Sequence, residues 1–218
     1  MSTLPPPNVG LDLIRIHKVV TRGLAVSLQY SQATGPLPEQ RMGYQLYLQS
    51  FVSLLMAHHQ GEEEIAFPFW CNKYPQAPYE LLGRQHKQIL PLLETINRWL
   101  SSGSSAWELT PLAELHKTLG SLHGIWRIHM PIEESHFGYQ NSLKYLTPEE
   151  NAELSSQLAT HGREHALPSD LVMPFVLYNL SNDDRLAMMQ LFPQVITQQL
   201  IPITWKETWE PMLPFLLE

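Results

Sequence analysis

Two short segments of the sequence each pair a histidine with a glutamate four residues later. His59 is followed by Glu63, and His129 is followed by Glu133. Residues four apart project from the same face of an α-helix, so each pair can offer an imidazole nitrogen and a carboxylate oxygen to one point. Both segments also carry a phenylalanine eight residues after the histidine. The match predicts a twofold internal repeat with metal-binding chemistry.

A single histidine precedes each pair at nearly the same distance. His17 lies 42 residues before His59, and His86 lies 43 residues before His129. The repeat therefore places four imidazoles and two carboxylates at equivalent positions. Such a donor set suits iron, manganese or zinc, whereas Mg²⁺ and Ca²⁺ prefer oxygen ligands alone. Because these ligands exceed what one tetrahedral zinc needs, and carboxylates can bridge two ions, a centre of two metal ions is predicted.

The elements that must position these side chains are predicted to be four long helices. Apolar residues recur at helical spacing, and proline, glycine and serine separate the segments. Each helix carries one element of the repeat, in the order His, His-x3-Glu, His, His-x3-Glu. Short loops favour antiparallel neighbours, so the predicted fold class is all-α, an up-down-up-down four-helix bundle. The helices are predicted at residues 11–32, 38–70, 79–100 and 111–140.

The predicted domain organisation has three parts. Residues 1–10 form an N-terminal lead-in, residues 11–146 form the bundle, and residues 147–218 form a helical C-terminal extension. Apolar runs in the extension, such as residues 171–177, are too hydrophobic to lie free in water. We therefore expect the extension to pack on the bundle and to help enclose the site or a substrate pocket, with a dimer interface as the alternative.

The combination of motifs resembles the hemerythrin-like, or HHE cation-binding, domain family over about residues 11–140. The residues that carry the resemblance are His17, His59 with Glu63, His86, His129 with Glu133, and Phe67-Pro68. The resemblance implies a non-haem di-iron centre: two iron ions bridged by oxo, hydroxo or water, with manganese or zinc as substitutes. It also implies terminal ligands His17, His59, His86 and His129, and bridging ligands Glu63 and Glu133.

One departure from the family bears on function. Oxygen-carrying hemerythrins have a His-x3-His pair on the third helix, and here Leu82 and Leu90 stand at the partner positions of His86. A site short of one imidazole has more open coordination positions, which favours reaction with O2 or peroxide over protected storage. We expect an oxidase, oxygenase or peroxidase-like enzyme that activates O2 or peroxide and oxidises a small substrate. The alternative is a non-enzymatic protein that binds or senses O2, NO or iron.

Composition and charge limit the other function classes. The net charge of −7 over 218 residues argues against nucleic acid or an anionic membrane as the main partner. The one cysteine, Cys71, excludes an internal disulfide and cysteine-based metal clusters. We find neither a signal peptide nor a membrane-spanning run, so a cytoplasmic monomer or homodimer is expected.

One local alternative concerns the first pair. His58 and Glu62 are also four residues apart, and they would lie on one face of the same helix. The residue eight positions after His58 is Ala66 rather than phenylalanine, so this pair matches the second segment less well. We therefore expect His59 and Glu63 to be the interior pair.

A second alternative concerns Pro131, which lies inside the fourth helix two residues after His129. Proline cannot donate a backbone hydrogen bond, and its ring crowds the preceding turn. A one-residue π-bulge at this point would bring Glu134 into the place of Glu133. We expect the helix to keep its register, with Glu133 on the face of His129.

Overall fold

The structure, a computed structural model, describes residues 8–217, apart from the side chains of residues 104 and 105. The described chain is all-helical and contains no strand. In chain order its first five helices are α1 (Val9–Tyr30), α2 (Arg41–Gly61), the short α3 (Phe67–Cys71), α4 (Tyr79–Leu100) and α5 (Leu109–Phe137). Short 3-10 turns at Pro38–Gln40 and Gly103–Trp107 precede α2 and α5.

The first helix begins two residues earlier than predicted because Asn8 caps it. The Asn8 side chain accepts a hydrogen bond from the backbone N–H of Leu11 at 3.0 Å. This bond satisfies one of the N–H groups that have no partner in the first turn of a helix. The predicted lead-in is therefore shorter at its C-terminal end, and residues 1–7 of it lie outside the described residues.

The four long helices pack around a shared apolar core. α1 packs on α2 and α5, and α4 packs on the same two helices. Apolar side chains recur every three or four residues along the inner faces, and their removal from water drives the packing. Fully buried members of this core are Val20, Leu24, Phe51, Leu55 and Ile89. The inner faces of all four helices thus line one interior.

α2 continues into a single π-helical turn, Glu62–Ala66, and then into α3. The N–H of Phe67 donates to the carbonyl of Glu62, five residues earlier. Pro68 explains the change, since it has no N–H for the carbonyl of Glu64 and its ring would crowd that carbonyl in a regular α-helix. The wider turn accommodates the proline and adds one residue to the turn.

Pro131 has no such effect on α5. The α-helix continues through Pro131 to Phe137 and ends at Gly138, whose N–H donates to the carbonyl of Glu134 at 3.0 Å. His129 and Glu133 therefore keep the regular four-residue spacing that places them on one face.

The chain after α5 forms shorter helices that cover α1 and α2. α7 packs on both of these helices, and α8 and the last 3-10 turn pack on α2. The elements are α6 (Tyr139–Tyr145), α7 (Pro148–His165), α8 (Ser169–Tyr178), α9 (Asn182–Met189), a π-helical segment (Ile196–Thr204), α10 (Lys206–Trp209) and the 3-10 turn (Glu210–Phe215). Across the described residues, every helix is too short or too polar to cross a membrane.

The contact between the last 3-10 turn and α2 depends on Gly43. A Cβ atom at this position would lie 1.9 Å from the carbonyl oxygen of Pro211, much closer than two such atoms can approach. Glycine is the residue that allows the two backbones to meet here. Phe215, in the same turn, is buried beside Gly43 and packs edge-on against Tyr30.

Candidate metal centre

Seven side chains from α1, α2 with its π turn, α4 and α5 meet in the interior between the helices. They form two groups, in each of which the candidate ligand atoms all lie within 4.8 Å of one another. One group contains His59, Glu62, His86 and His129, and the other contains His17, His58, Glu62 and Glu133. Because Glu62 belongs to both groups, they form one continuous set, which we call the donor cluster.

α1, α4 and α5 bring their predicted residues into the donor cluster. His17 and His129 are fully buried, and His86 is nearly so. Glu133 is fully buried as well, and its Oε2 lies 3.2 Å from Nε2 of His129 and 3.3 Å from Nε2 of His17. Glu133 therefore lies between residues of both groups. That His17, His86, His129 and Glu133 bind a metal stays a prediction.

The structure corrects the predicted placement of Glu63. Its side chain is 49% exposed and lies outside the donor cluster, whereas the side chain of Glu62 is only 7% exposed and lies inside it. Glu62 follows His58 by four residues and His59 by three, so it projects between the two imidazoles. The prediction chose His59 with Glu63 because Phe67 follows His59 by eight residues, and the π turn takes up one of those residues.

His58 gives the donor cluster a fifth imidazole. Its Nε2 lies 3.3 Å from Oε1 of Glu62, and its ring centre lies 5.3 Å from that of His17. The pairing of His58 with Glu62, which matched the second segment less well in sequence, is the one that faces the interior. The sequence predicted a site short of one imidazole. In the structure α2 brings two histidines to the donor cluster while α4 brings one, so five imidazoles lie there.

Three imidazoles of the donor cluster are held from outside by hydrogen bonds at Nδ1. The pairs are Glu63 with His86 at 2.8 Å, Glu134 with His17 at 3.0 Å and Gln85 with His129 at 3.0 Å. A carboxylate or amide oxygen can only accept, so Nδ1 donates its proton, and Nε2 is the nitrogen left for a metal. The Nε2 atoms face the interior, and an outer hydrogen bond at the other ring nitrogen is typical of histidines that bind a metal.

Burial and neighbouring charges set the protonation of the other members. Burial, together with the adjacent imidazoles, lowers the pKa of His58 and His59 well below the usual value. Burial and the charge of Glu133 raise the pKa of Glu62 well above its usual value. Burial also acts to raise the pKa of Glu133, but the imidazoles around it outweigh burial and hold that pKa well below the usual value. His58 and His59 are thus neutral and Glu133 is ionised. Burial acts to lower the pKa of His17, but its hydrogen bonds to Glu133 and Glu134 outweigh burial and raise that pKa, so a metal ion would compete with a proton at this ring.

The donor cluster contains buried polar atoms that make no hydrogen bond of good geometry. They are Nε2 of His17, His58 and His59, Oε2 of Glu62 and both carboxylate oxygens of Glu133. In addition, the Nε2 atoms of His86 and His129 approach each other to 3.2 Å. A buried polar atom without a partner costs about 1–3 kcal/mol, so such a concentration of them needs a compensating ligand. Imidazole nitrogens and carboxylate oxygens that face one another fit a cation of the iron, manganese or zinc type.

Aromatic side chains enclose the donor cluster. The Trp126 ring meets the His17 ring edge-on at 5.2 Å between centroids, and the Phe67 ring stacks on His86 at 5.7 Å. Phe137 contacts Phe67, also at 5.7 Å, so the two phenylalanines of the repeat meet at the site. These rings keep water away from the polar atoms and thereby strengthen their electrostatic interactions.

Other histidines of the described chain lie outside the donor cluster. His136, on the same helix as His129, is half buried, and its Nδ1 lies 3.1 Å from the hydroxyl of Tyr74. His161 and His165 stack on each other within α7 at 3.9 Å between ring centroids. Neither of these two segments contributes a ligand atom to the interior set.

Comparison with known proteins agrees with this geometry. Residues 12–138 match the family described as hemerythrin HHE cation binding domain. The match covers more than half of the chain and includes all seven residues of the donor cluster, whereas the helices α6 to α10 lie beyond it. Neither a curated protein nor a solved structure matches the chain. The chain therefore belongs to the hemerythrin HHE cation-binding domain family.

Proposed function

We propose that the donor cluster binds two metal ions that share its two glutamates. His17 and His58 would hold one ion, and His59, His86 and His129 would hold the other. Glu62 and Glu133, which lie between these imidazoles, would serve both ions. The observation that carries this proposal is the position of Glu62, whose carboxylate lies within reach of both groups of donors. Glu63 in this proposal positions His86 and is not a ligand.

The proposal includes the finer architecture predicted from the sequence. α1, α2, α4 and α5 form an up-down-up-down four-helix bundle, since each of them packs on two of the others. The C-terminal extension packs along α1 and α2 as a cover of this bundle. A cytoplasmic location and a monomeric or homodimeric state remain predictions.

Iron is the metal that we propose, with manganese or zinc as substitutes. Five imidazoles and two carboxylates suit these metals, and they are more ligands than one tetrahedral zinc ion accepts. When bound, two iron ions supply redox chemistry toward O2, peroxide or NO. The seven side chains provide fewer donor atoms than two octahedral ions accept, which leaves positions for a small ligand.

We infer that the protein is an oxidising enzyme that activates O2 or peroxide for a small substrate. The outer hydrogen bonds of Glu63, Glu134 and Gln85 keep three imidazoles in one tautomer and orientation. The rings of Trp126 and Phe67 exclude water from the polar atoms. A cavity of about 150 Å³ beside the cluster has room for a small substrate.

The second candidate is a protein that binds or senses O2, NO or iron without turnover. The observation that favours it is the fifth imidazole, His58, which lowers the number of open positions on the metal ions. A more complete ligand set protects a bound small molecule better than a ligand-poor one. Turnover therefore decides between the two candidates.

The test begins with metal analysis and an absorption spectrum of the full chain purified after growth with iron. Two iron ions per chain and a spectrum that changes when the reduced protein meets O2 are expected. A protein that retains only zinc, with no spectral response to O2, would contradict the proposal. Consumption of peroxide or oxidation of added phenol over many turnovers would then support the enzyme, and reversible binding without turnover would support the second candidate.

A further inference from the structure

A cavity of about 150 Å³ lies between the bundle and the C-terminal extension. On the bundle side it is lined by α1, by α2 and by the π turn, including Leu54, His58 and Glu62. On the opposite side it is lined by α7, α8 and α9, including Val176 and Met188. The cavity therefore joins the donor cluster to a part of the chain that lies beyond the family match.

The walls of the cavity are mainly apolar. Aliphatic, methionine and aromatic side chains line it, among them Leu54, Phe67, Leu158, Val176, Met188 and Phe192. An apolar cavity of roughly 150 Å³ has the size that accepts a molecule such as benzene. The walls thus provide a site for a small apolar molecule.

Charged side chains on the walls are already partnered. Asp12 accepts hydrogen bonds from Ser155 at 2.5 Å and from Arg15 at 2.8 Å. Arg163 donates to the carbonyl of Leu191 at 3.1 Å and to the hydroxyl of Thr160 at 2.9 Å. The Asp12 carboxylate is thus already paired with Arg15, so a cation would find no free carboxylate on the walls outside the donor cluster, and burying a cation without one is costly. The site therefore favours an uncharged molecule over a cation.

Two members of the donor cluster also line the cavity. They are His58 and Glu62, so the cavity lies directly beside the candidate metal ligands. A molecule in the cavity would therefore lie next to the donor cluster on one side and pack against the extension on the other.

The extension can close on the bundle here because Gly61 has no side chain. A Cβ atom at Gly61 would lie 3.0 Å from Cδ2 of His161 and 3.4 Å from Cδ2 of Leu158, both on α7. Burial, followed by the charge of His165, lowers the pKa of His161, so its imidazole brings no positive charge to this wall. The cavity therefore exists only when α7 packs closely against α2 at Gly61.

We propose that this cavity binds a small uncharged apolar molecule of about the size of a benzene ring and presents it to the donor cluster. The identification of this molecule as the substrate rests on the proposed oxidising function, whereas its binding in the cavity does not. The walls contributed by α7, α8 and α9 determine the size and polarity of the molecule that the cavity can bind.

Benzene is the probe for the test, with the full iron-loaded chain labelled with ¹³C at the methionine methyl groups. Met173 and Met188 line the cavity, whereas Met42 is 60% exposed and serves as the internal control. Benzene is expected to shift the signals of Met173 and Met188 and to leave that of Met42 unchanged. The benzylammonium cation, which has the same ring and a positive charge, is expected to bind far more weakly.

A pair of variants on α7 locates the binding site. Ala159→Leu fills the cavity that Ala159 lines, and Ala152→Leu adds the same side chain at an exposed position of the same helix. Ala159→Leu is expected to weaken benzene binding by about tenfold or more, because the added atoms occupy its space. Ala152→Leu is expected to leave it unchanged.

The outcomes separate this inference from the proposed function. The cavity would be excluded as the binding site if benzene did not shift the methionine signals, or if Ala159→Leu did not weaken benzene binding. If such a chain still held two iron ions, the proposed metal centre would be unaffected. Specific benzene binding in a chain that retains no iron would support the cavity and contradict the metal centre. Equal binding of benzylammonium would overturn the inferred ligand class.

Discussion

Glu63 accepts a hydrogen bond from Nδ1 of His86 at 2.8 Å, on the side of the imidazole that faces away from the donor cluster. Its neighbour Glu62 lies on the other side, with Oε2 at 3.5 Å from Nε2 of the same ring. Two consecutive glutamates thus lie on opposite sides of one histidine. One carboxylate orients the imidazole from outside, and the other is placed to share a metal ion with it in the proposed centre.

Three consecutive glutamates provide a matched series of substitutions. Glu62→Gln should reduce the iron content to about one ion per chain or less, because it removes the carboxylate common to both donor groups. Glu63→Gln should retain both ions but weaken their binding by about 10–100-fold, as is typical for partners of metal-binding histidines. Glu64→Gln is the control, since Glu64 is exposed and accepts a hydrogen bond only from Gln60 in the described structure. Iron analysis during titration with a chelator gives all three values, and loss of iron in Glu63→Gln alone would contradict these roles.

His58 can be tested against an exposed histidine. His58→Ala should reduce the iron content from two ions to about one per chain, because the group with His17, Glu62 and Glu133 loses an imidazole. His123→Ala should leave both ions in place, since His123 lies exposed on the outer face of α5. Elemental analysis of the two purified variants is the measurement. Equal iron content in both would remove His58 from the ligand set.

α5 offers a second pair of neighbouring glutamates. Glu133→Ala should remove most of the iron, because Glu133 is fully buried between the imidazoles of His17 and His129. Glu134→Ala should retain iron with affinity lowered about 10–100-fold, because Glu134 only orients His17 through Nδ1. Iron content and chelator resistance distinguish the two. If only the Glu134 variant lost its iron, the assignment of Glu133 rather than Glu134 as the metal ligand would be wrong.

Two glycines test how the extension is held. Gly43→Ala should lower the free energy of unfolding by about 1–3 kcal/mol or more, because the new Cβ would collide with the Pro211 carbonyl. Gly124→Ala should instead raise it by about 0.5–1 kcal/mol, because the methyl group meets no atom within 4 Å and alanine is the better helix former. Thermal and urea unfolding measure both. Equal stability of the two variants would show that the last 3-10 turn does not pack on α2 as described.

The sequence by itself determined the four long helices and most of the donor cluster. Their boundaries lie within a few residues of the predicted ones, because prolines and glycine- or serine-rich segments separate strongly periodic apolar stretches. His17, His59, His86, His129 and Glu133 all reach the interior from helices of regular register. In a regular α-helix the spacing of residues alone decides which side chains share a face, so these ligand candidates could be predicted from the sequence.

Only the tertiary structure decided which glutamate of α2 faces the interior and that His58 joins it. In both segments the phenylalanine follows the histidine by eight residues, but the glutamate that faces the interior lies at a different position between them. From His129 to Phe137 the α-helix is unbroken, and Glu133 lies midway. Between His59 and Phe67 the π turn before Pro68 contains one residue more than an α-helical turn. Glu62 therefore lies inside the donor cluster and Glu63 lies outside it. A proline can be accommodated in either way, as Pro68 and Pro131 show, so the presence of a proline in the sequence does not by itself determine the register of the helix.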